Sequence, residues 1–391
     1  MMLLTNGSVR LLFIGQALYW SCSLIGITLT SLVGMQLAPV AALATLPLAL
    51  LVLGNLVAVH PLSMFMQRYG RRRGLVAGAM LGVVGGLVSA GGVYADSFTL
   101  FCLGALPIGA YQASAMYYRY AALETVPDAQ KGRAAAFVVG GGVIAALIAP
   151  GLAVWSRDAI VIPFLGSYLV VAGLALLACA VMCALPQGGI PARVAGGWGV
   201  MAKLLQRPQI RAAIAVSAAG HGIMILVMNA TPLAMTFCGF DVGISAQVIQ
   251  WHIIGMFLPA FAAGPMMDRY GPRKMALAGV VVLVLSASAA LSGQNQIAFL
   301  ISSFLLGLGW NLMLLAGTTL LGEGHDAAER GHAQGAMELG NGLVGTFASF
   351  ASGALIVGAG WDAINIGMIP VLVIAVLLMW AGRGARMPKN A

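Results

Sequence analysis

The chain has 391 residues, 60% hydrophobic and only 8% charged, with a mean hydropathy of +0.96 and a formal net charge of +9. No water-soluble fold can hide that much apolar surface, so the bilayer is its solvent and partner. The positive excess does not point to nucleic acid, because Lys and Arg fall in loops that alternate around the apolar stretches.

Twelve apolar stretches of about 20 residues start near Val9, Val40, Leu75, Phe98, Ala134, Val161, Ile210, Gly243, Lys274, Ile297, Ala333 and Ile364. Inside lipid each must be helical to satisfy its own backbone, so the fold class is an all-α membrane protein with 12 transmembrane helices. The first stretch is long enough to span and reads as a helix rather than a cleavable signal. In the third, Gly78, Gly82 and Gly86 repeat every four residues, which suits close helix packing better than nucleotide binding. Basic residues from Arg10 through Arg71, Arg133, Arg193, Arg207 and Arg330 to Arg383, Arg386 and Lys389 fall on one side, and only Arg157 on the other. Both termini are therefore expected to be cytoplasmic.

The sequence MQRYG at 66–70 recurs as MDRYG at 267–271, an internal repeat of about 200 residues. It divides the chain into a six-helix half over 1–189, a linker rich in Gly, Pro and basic residues over 190–208, and a second six-helix half over 209–391. Parallel halves with a site between them near the midplane are the plan of rocking secondary transporters. Five cysteines, at 22, 102, 179, 183 and 238, form no CxxC pair, which argues against a disulfide framework or structural zinc.

Two four-residue spacings stand out on the seventh and eighth stretches: Met224 with Met228, and His252 with Met256. Each spacing puts both side chains on one helix face. With 21 Met in the chain, a Met pair at this spacing arises about once by composition alone. The two pairs nevertheless lie at matching depth, roughly 21 to 27 Å and 24 to 17 Å from the cytoplasmic ends, and two antiparallel helices would face four soft ligands toward one point. Thioether and imidazole suit Cu(I), which needs no balancing charge, whereas Mn²⁺ or Mg²⁺ would want carboxylates. None of the 11 acidic residues falls mid-helix; Glu124, Asp268 and Glu338 lie near cytoplasmic ends.

His221 shares the Met224 and Met228 face, and either it or His252 could exchange a proton. Cys238, three residues after Met235, ends the seventh stretch on the non-cytoplasmic side, where it could receive a soft ion. A further pair, His60 and Met64, lies toward the cytoplasmic end of the second stretch and could hold an ion on its way in. Taken singly, a Met is more often core packing than a ligand, His221 is as readily an interhelical hydrogen-bonding group, and capping or packing is the preferred account of His60 and Met64.

The sequence GPMMDRYGPRK at 264–274 resembles the GxxxDRxGxRK loop signature of the major facilitator superfamily, and the twelve-helix, two-half layout extends the likeness over the whole chain. The first copy departs from it, with Ser63 for Gly and Gln67 for the acid. The resemblance implies that Asp268, with Arg269 and Arg273, helps latch the cytoplasmic gate. Within the superfamily, MxxxM followed by HxxxM resembles the CcoA-like copper importers, which supply cbb3-type cytochrome oxidase assembly. That implies a bacterial inner-membrane importer of copper, monomeric, with no cofactor, handing Cu⁺ to a cytoplasmic acceptor or exporter.

Two other readings stay open. The wider group includes riboflavin importers, and Gln16, Tyr19, Trp20, Tyr111, Gln112, Tyr117, Tyr118, Trp310 and Asn311 supply aromatic and amide groups on which an organic solute could stack. A membrane copper receptor that binds without transporting is the other. No GxxxxGK[ST] loop and no nucleophile-base arrangement argues for ATP use or an enzyme.

Overall fold

Strong caps open several helices: Asn6, Ser97, Asp241 and Asn295 each accept backbone N–H groups of the turn that follows. The computed structural model describes residues 6–40, 43–44, 46–187 and 198–382. Arg193, Arg383, Arg386 and Lys389 lie outside them, as does 190–197 of the expected linker.

In chain order the helices are α1 (Gly7–Leu37), α2 (Leu46–Tyr69), α3 (Arg71–Tyr94), α4 (Phe98–Ala115), α5 (Tyr118–Leu123), α6 (Lys131–Gly140), α7 (Gly142–Arg157), α8 (Leu165–Cys183), α9 (Trp198–Gln206), α10 (Pro208–Phe237), α11 (Val242–Phe257), α12 (Ala260–Tyr270), α13 (Pro272–Leu291), α14 (Gln296–Gly322), α15 (Arg330–Gly358) and α16 (Gly360–Ala381). They make twelve segments long and apolar enough to cross a membrane. Several start earlier than hydropathy suggests, as at Lys131 and Arg330, because a basic residue can occupy the first turn of a helix without entering the apolar region. Within the expected linker, residues 198–206 form the short helix α9, with Met201 and Leu204 buried at i,i+3.

The chain forms two compact units, Met1–Thr125 with Gly141–Val194, and Val126–Gly140 with Ala195–Ala391. Part of the helix packing recurs in both. In the first, α4 lies against α2 and α3, while α1 lies against α7 and α8. In the second, α14 lies against α11 and α13, while α10 lies against α15 and α16.

The repeated sequence motif has the same backbone in both units. Gly70 (φ 94°, ψ 154°) and Gly271 (φ 82°, ψ 158°) each turn the chain between two helices at a φ that only glycine adopts freely.

Three spans are broken: between α4 and α5, between α6 and α7, and between α11 and α12. Irregular backbone at membrane depth survives only where protein or a lined cavity satisfies it. At the third break, Pro259 lacks an N–H. The Asn311 amide donates to the Met256 carbonyl there, at 2.7 Å.

Candidate functional site

In the second unit α14 is the hub: α10 and α11 both pack on it and meet each other only narrowly. The close approach of α11 requires Gly307, where a Cβ would stand 2.5 Å from the His252 carbonyl and 2.7 Å from the Met256 amide. This closeness brings the His252 ring to α14. Its Nδ1 lies 2.9 Å from the Ser303 carbonyl, which can only accept, so Nδ1 carries the proton and Nε2 presents a bare lone pair. That Nε2 is buried and has no hydrogen-bond partner among the described residues.

Asn311 is fixed by the same logic. Its Nδ2 must face the Met256 carbonyl, which leaves Oδ1 as an acceptor, also buried and without a partner among the described residues. Beside it, Trp310 packs edge-on against Phe257 with ring centroids 6.1 Å apart. The Trp310 indole N–H donates to His221 Nδ1 at 3.3 Å.

The four proposed soft ligands are thus distributed over two helices that share α14. Met224, His252 and Met256 are buried and Met228 is half-buried. Of these four, His252 is tied by its side chain, and Met256 by its carbonyl, to α14 rather than to α10. His221 spends Nδ1 on Trp310, so that nitrogen is not open to a metal. Met235 is fully buried, and the Cys238 thiol is 3.0 Å from Gln294 Oε1 as it ends α10. His60 and Met64 are half-buried on α2, near Pro61, where Tyr117 donates to the Val59 carbonyl.

In the first unit, the aromatic residues form a packed cluster. Tyr19 meets Trp20 at 5.2 Å and Tyr111 at 5.9 Å, and Tyr111, Tyr117 and Tyr118 are fully buried. Gln112 donates to Ser23. Gln16 is also buried. Arg119, placed by the α4/α5 break, donates to the Met116 carbonyl and lies 4.8 Å over the Tyr120 ring.

Asp268 accepts the Arg133 backbone N–H at 3.1 Å and faces its guanidinium at 3.4 Å. Arg269 stacks over Tyr270, and Arg273 donates to the Gly382 carbonyl at the end of α16. In the first copy, where Gln67 replaces the acid, a bidentate Arg71 to Glu124 pair stands close by instead. Arg133, Ser303 and Phe257 carry no local sequence signal; only folding brings them to these partners.

Comparison with known proteins places the chain. The major facilitator superfamily model matches residues 217–391. The chain is 35% identical to the riboflavin transporter RfnT of Brucella anthropi over 376 residues, covering 95% of this chain and 94% of that protein. It is 30% identical to an uncharacterized MFS-type transporter, YdeG, of Bacillus subtilis, covering 92% and 88% respectively. Among solved structures, it resembles the E. coli fucose:proton symporter FucP (TM-score 0.77, 15% identity, 95% of this chain and 98% of that one). The proton:xylose symporter XylE scores 0.78 at 16% identity, over 96% of this chain and 94% of that one.

The chain belongs to the major facilitator superfamily. It is a multi-pass membrane protein and a secondary transporter, not an enzyme. The expected likeness to copper importers receives no support from these relatives, the first of which is named for riboflavin, nor does the non-transporting receptor. The reason is physical: Met and His at i,i+4 are common currency in apolar helices, so the spacing does not by itself specify a metal site.

Proposed function

We propose that the protein is a secondary transporter importing riboflavin or a close flavin across a bacterial inner membrane by alternating access, with both termini cytoplasmic. The observation that carries this reading is the 35% identity with a riboflavin transporter over nearly the full length of both chains. The interior chemistry agrees with it. Aromatic faces at Phe257 and Trp310 suit a planar fused ring, and neutral acceptors at His252 and Asn311 suit a solute with hydrogen-bond donors.

Copper is the second reading, favoured by one feature. An imidazole whose Nδ1–H is held by a backbone carbonyl, as in His252, leaves Nε2 aimed as a metal ligand would be.

Uptake of radiolabelled riboflavin and radioactive copper, measured side by side in cells expressing the chain, tests the choice. Riboflavin should accumulate and copper should not. Copper accumulation without riboflavin would reverse the order of the two readings.

A further inference from the structure

Among the described residues, two buried acceptors in the second unit, His252 Nε2 and Asn311 Oδ1, have no donor to accept from. Leaving such groups unpaired in a low-dielectric interior is costly, and native proteins rarely tolerate it without a ligand or water to satisfy them. Both His252 Nε2 and Asn311 Oδ1 are committed to the acceptor role by backbone carbonyls that hold their donor atoms, Ser303 O and Met256 O. Neither can turn over to offer an N–H without breaking a buried bond. Their helices run parallel, and the two anchoring levels, residues 252 and 256, are about 6 Å apart along α11.

We propose that His252 and Asn311 bind the polyhydroxyl chain of the transported flavin, each accepting a hydrogen bond from one of its hydroxyl groups. The inference rests on the flavin reading above and names which part of the solute is recognised here. The imide edge of a flavin ring alternates acceptor, donor, acceptor, so against a surface of lone pairs its two carbonyls would be repelled. A hydroxyl has no such conflict, because its hydrogen rotates to whichever acceptor is present. A chain of adjacent hydroxyl-bearing carbons offers several such groups along its length, so different hydroxyls can meet acceptors held at different levels of the helix pair. Both atoms are sealed from water in the present conformation, and a carrier that alternates its opening exposes them during part of its cycle.

The test uses the full-length protein in liposomes, with radiolabelled riboflavin uptake competed by unlabelled riboflavin or by lumiflavin, which keeps the ring and replaces the hydroxyl chain with a methyl group. Riboflavin should compete at least about tenfold better than lumiflavin, the size of effect one or two buried hydrogen bonds produce. In His252→Leu that preference should shrink severalfold with lumiflavin unaffected. In His252→Gln it should return, because the Gln amide can donate to Ser303 and still offer an oxygen. Equal competition by the two flavins in the wild type overturns the proposal even if His252→Leu fails to fold, and so does an undiminished preference in a folded His252→Leu. Absence of any riboflavin uptake or binding by the wild type fails the flavin reading itself, which separates the two outcomes.

Discussion

Asn311 on α14 holds the carbonyl of Met256 on α11 at the place where the eighth span breaks. One amide therefore stabilises an irregular stretch of backbone and fixes the orientation of an acceptor in the same interior. Asn311→Ala should lower stability by about 1–3 kcal/mol, the usual cost of stranding a buried hydrogen-bonding group. Asn229→Ala, which removes an exposed bond to Ser349, should change it little. Apparent thermal midpoints of the purified variants in detergent give the comparison.

Gly307 and Gly173 make a second contrast. A side chain at 307 would meet the α11 backbone, whereas nothing lies within 4 Å of a Cβ at 173. Gly307→Ala should force α11 and α14 apart and sharply reduce the yield of folded protein. Gly173→Ala should be neutral or stabilising by up to about 1 kcal/mol through helix propensity. Equal yields of monodisperse protein for the two variants would contradict the packing described.

For the methionines, the flavin reading predicts tolerance. Leu nearly conserves the volume of Met, at a cost usually below about 1.5 kcal/mol. Met224→Leu and Met228→Leu should keep riboflavin uptake within about twofold of the wild type. A loss of uptake in both, at normal expression, would mean that the sulfur atoms act on the solute.

Asp268 is proposed to act in gating through Arg133. Asp268→Asn keeps the size and one acceptor but removes the charge facing the guanidinium. Riboflavin exchange should slow severalfold at unchanged expression, and initial rates in vesicles would show it. The effect should be modest because the Arg133 side chain is 45% exposed.

Arg207 and Glu329 join the start of α10 to the start of α15 by two bonds of 2.7 Å. Burial by itself would raise the Glu329 carboxyl, but the hydrogen bond from Arg207, the Asp326 backbone N–H and the nearby positive charge together outweigh it and hold the group below the usual carboxylate value of 4.5. A carboxyl depressed on folding stabilises the protein above its unfolded pKa, and that contribution disappears as pH falls through the lower folded value. The thermal midpoint should therefore drop in the acid range below about pH 4.5, and Glu329→Gln should flatten that part of the profile.

Much of the architecture was legible in the residues. Twelve apolar runs dictate twelve helical spans because lipid offers no partner to a bare backbone. The MQRYG and MDRYG repeats mark a turn that needs glycine at positive φ, and both copies adopt it. The amino-acid order also singled out His252, Trp310 and Asn311. It could not say what they contact, because a four-residue spacing reports which face of one helix a side chain occupies and nothing about the helix opposite. The tertiary structure decided that. Close contact at Gly307 brought Ser303 to His252 Nδ1 and Asn311 to the Met256 carbonyl, and those two carbonyls, distant in sequence, determine which side-chain atoms are left without a partner among the described residues.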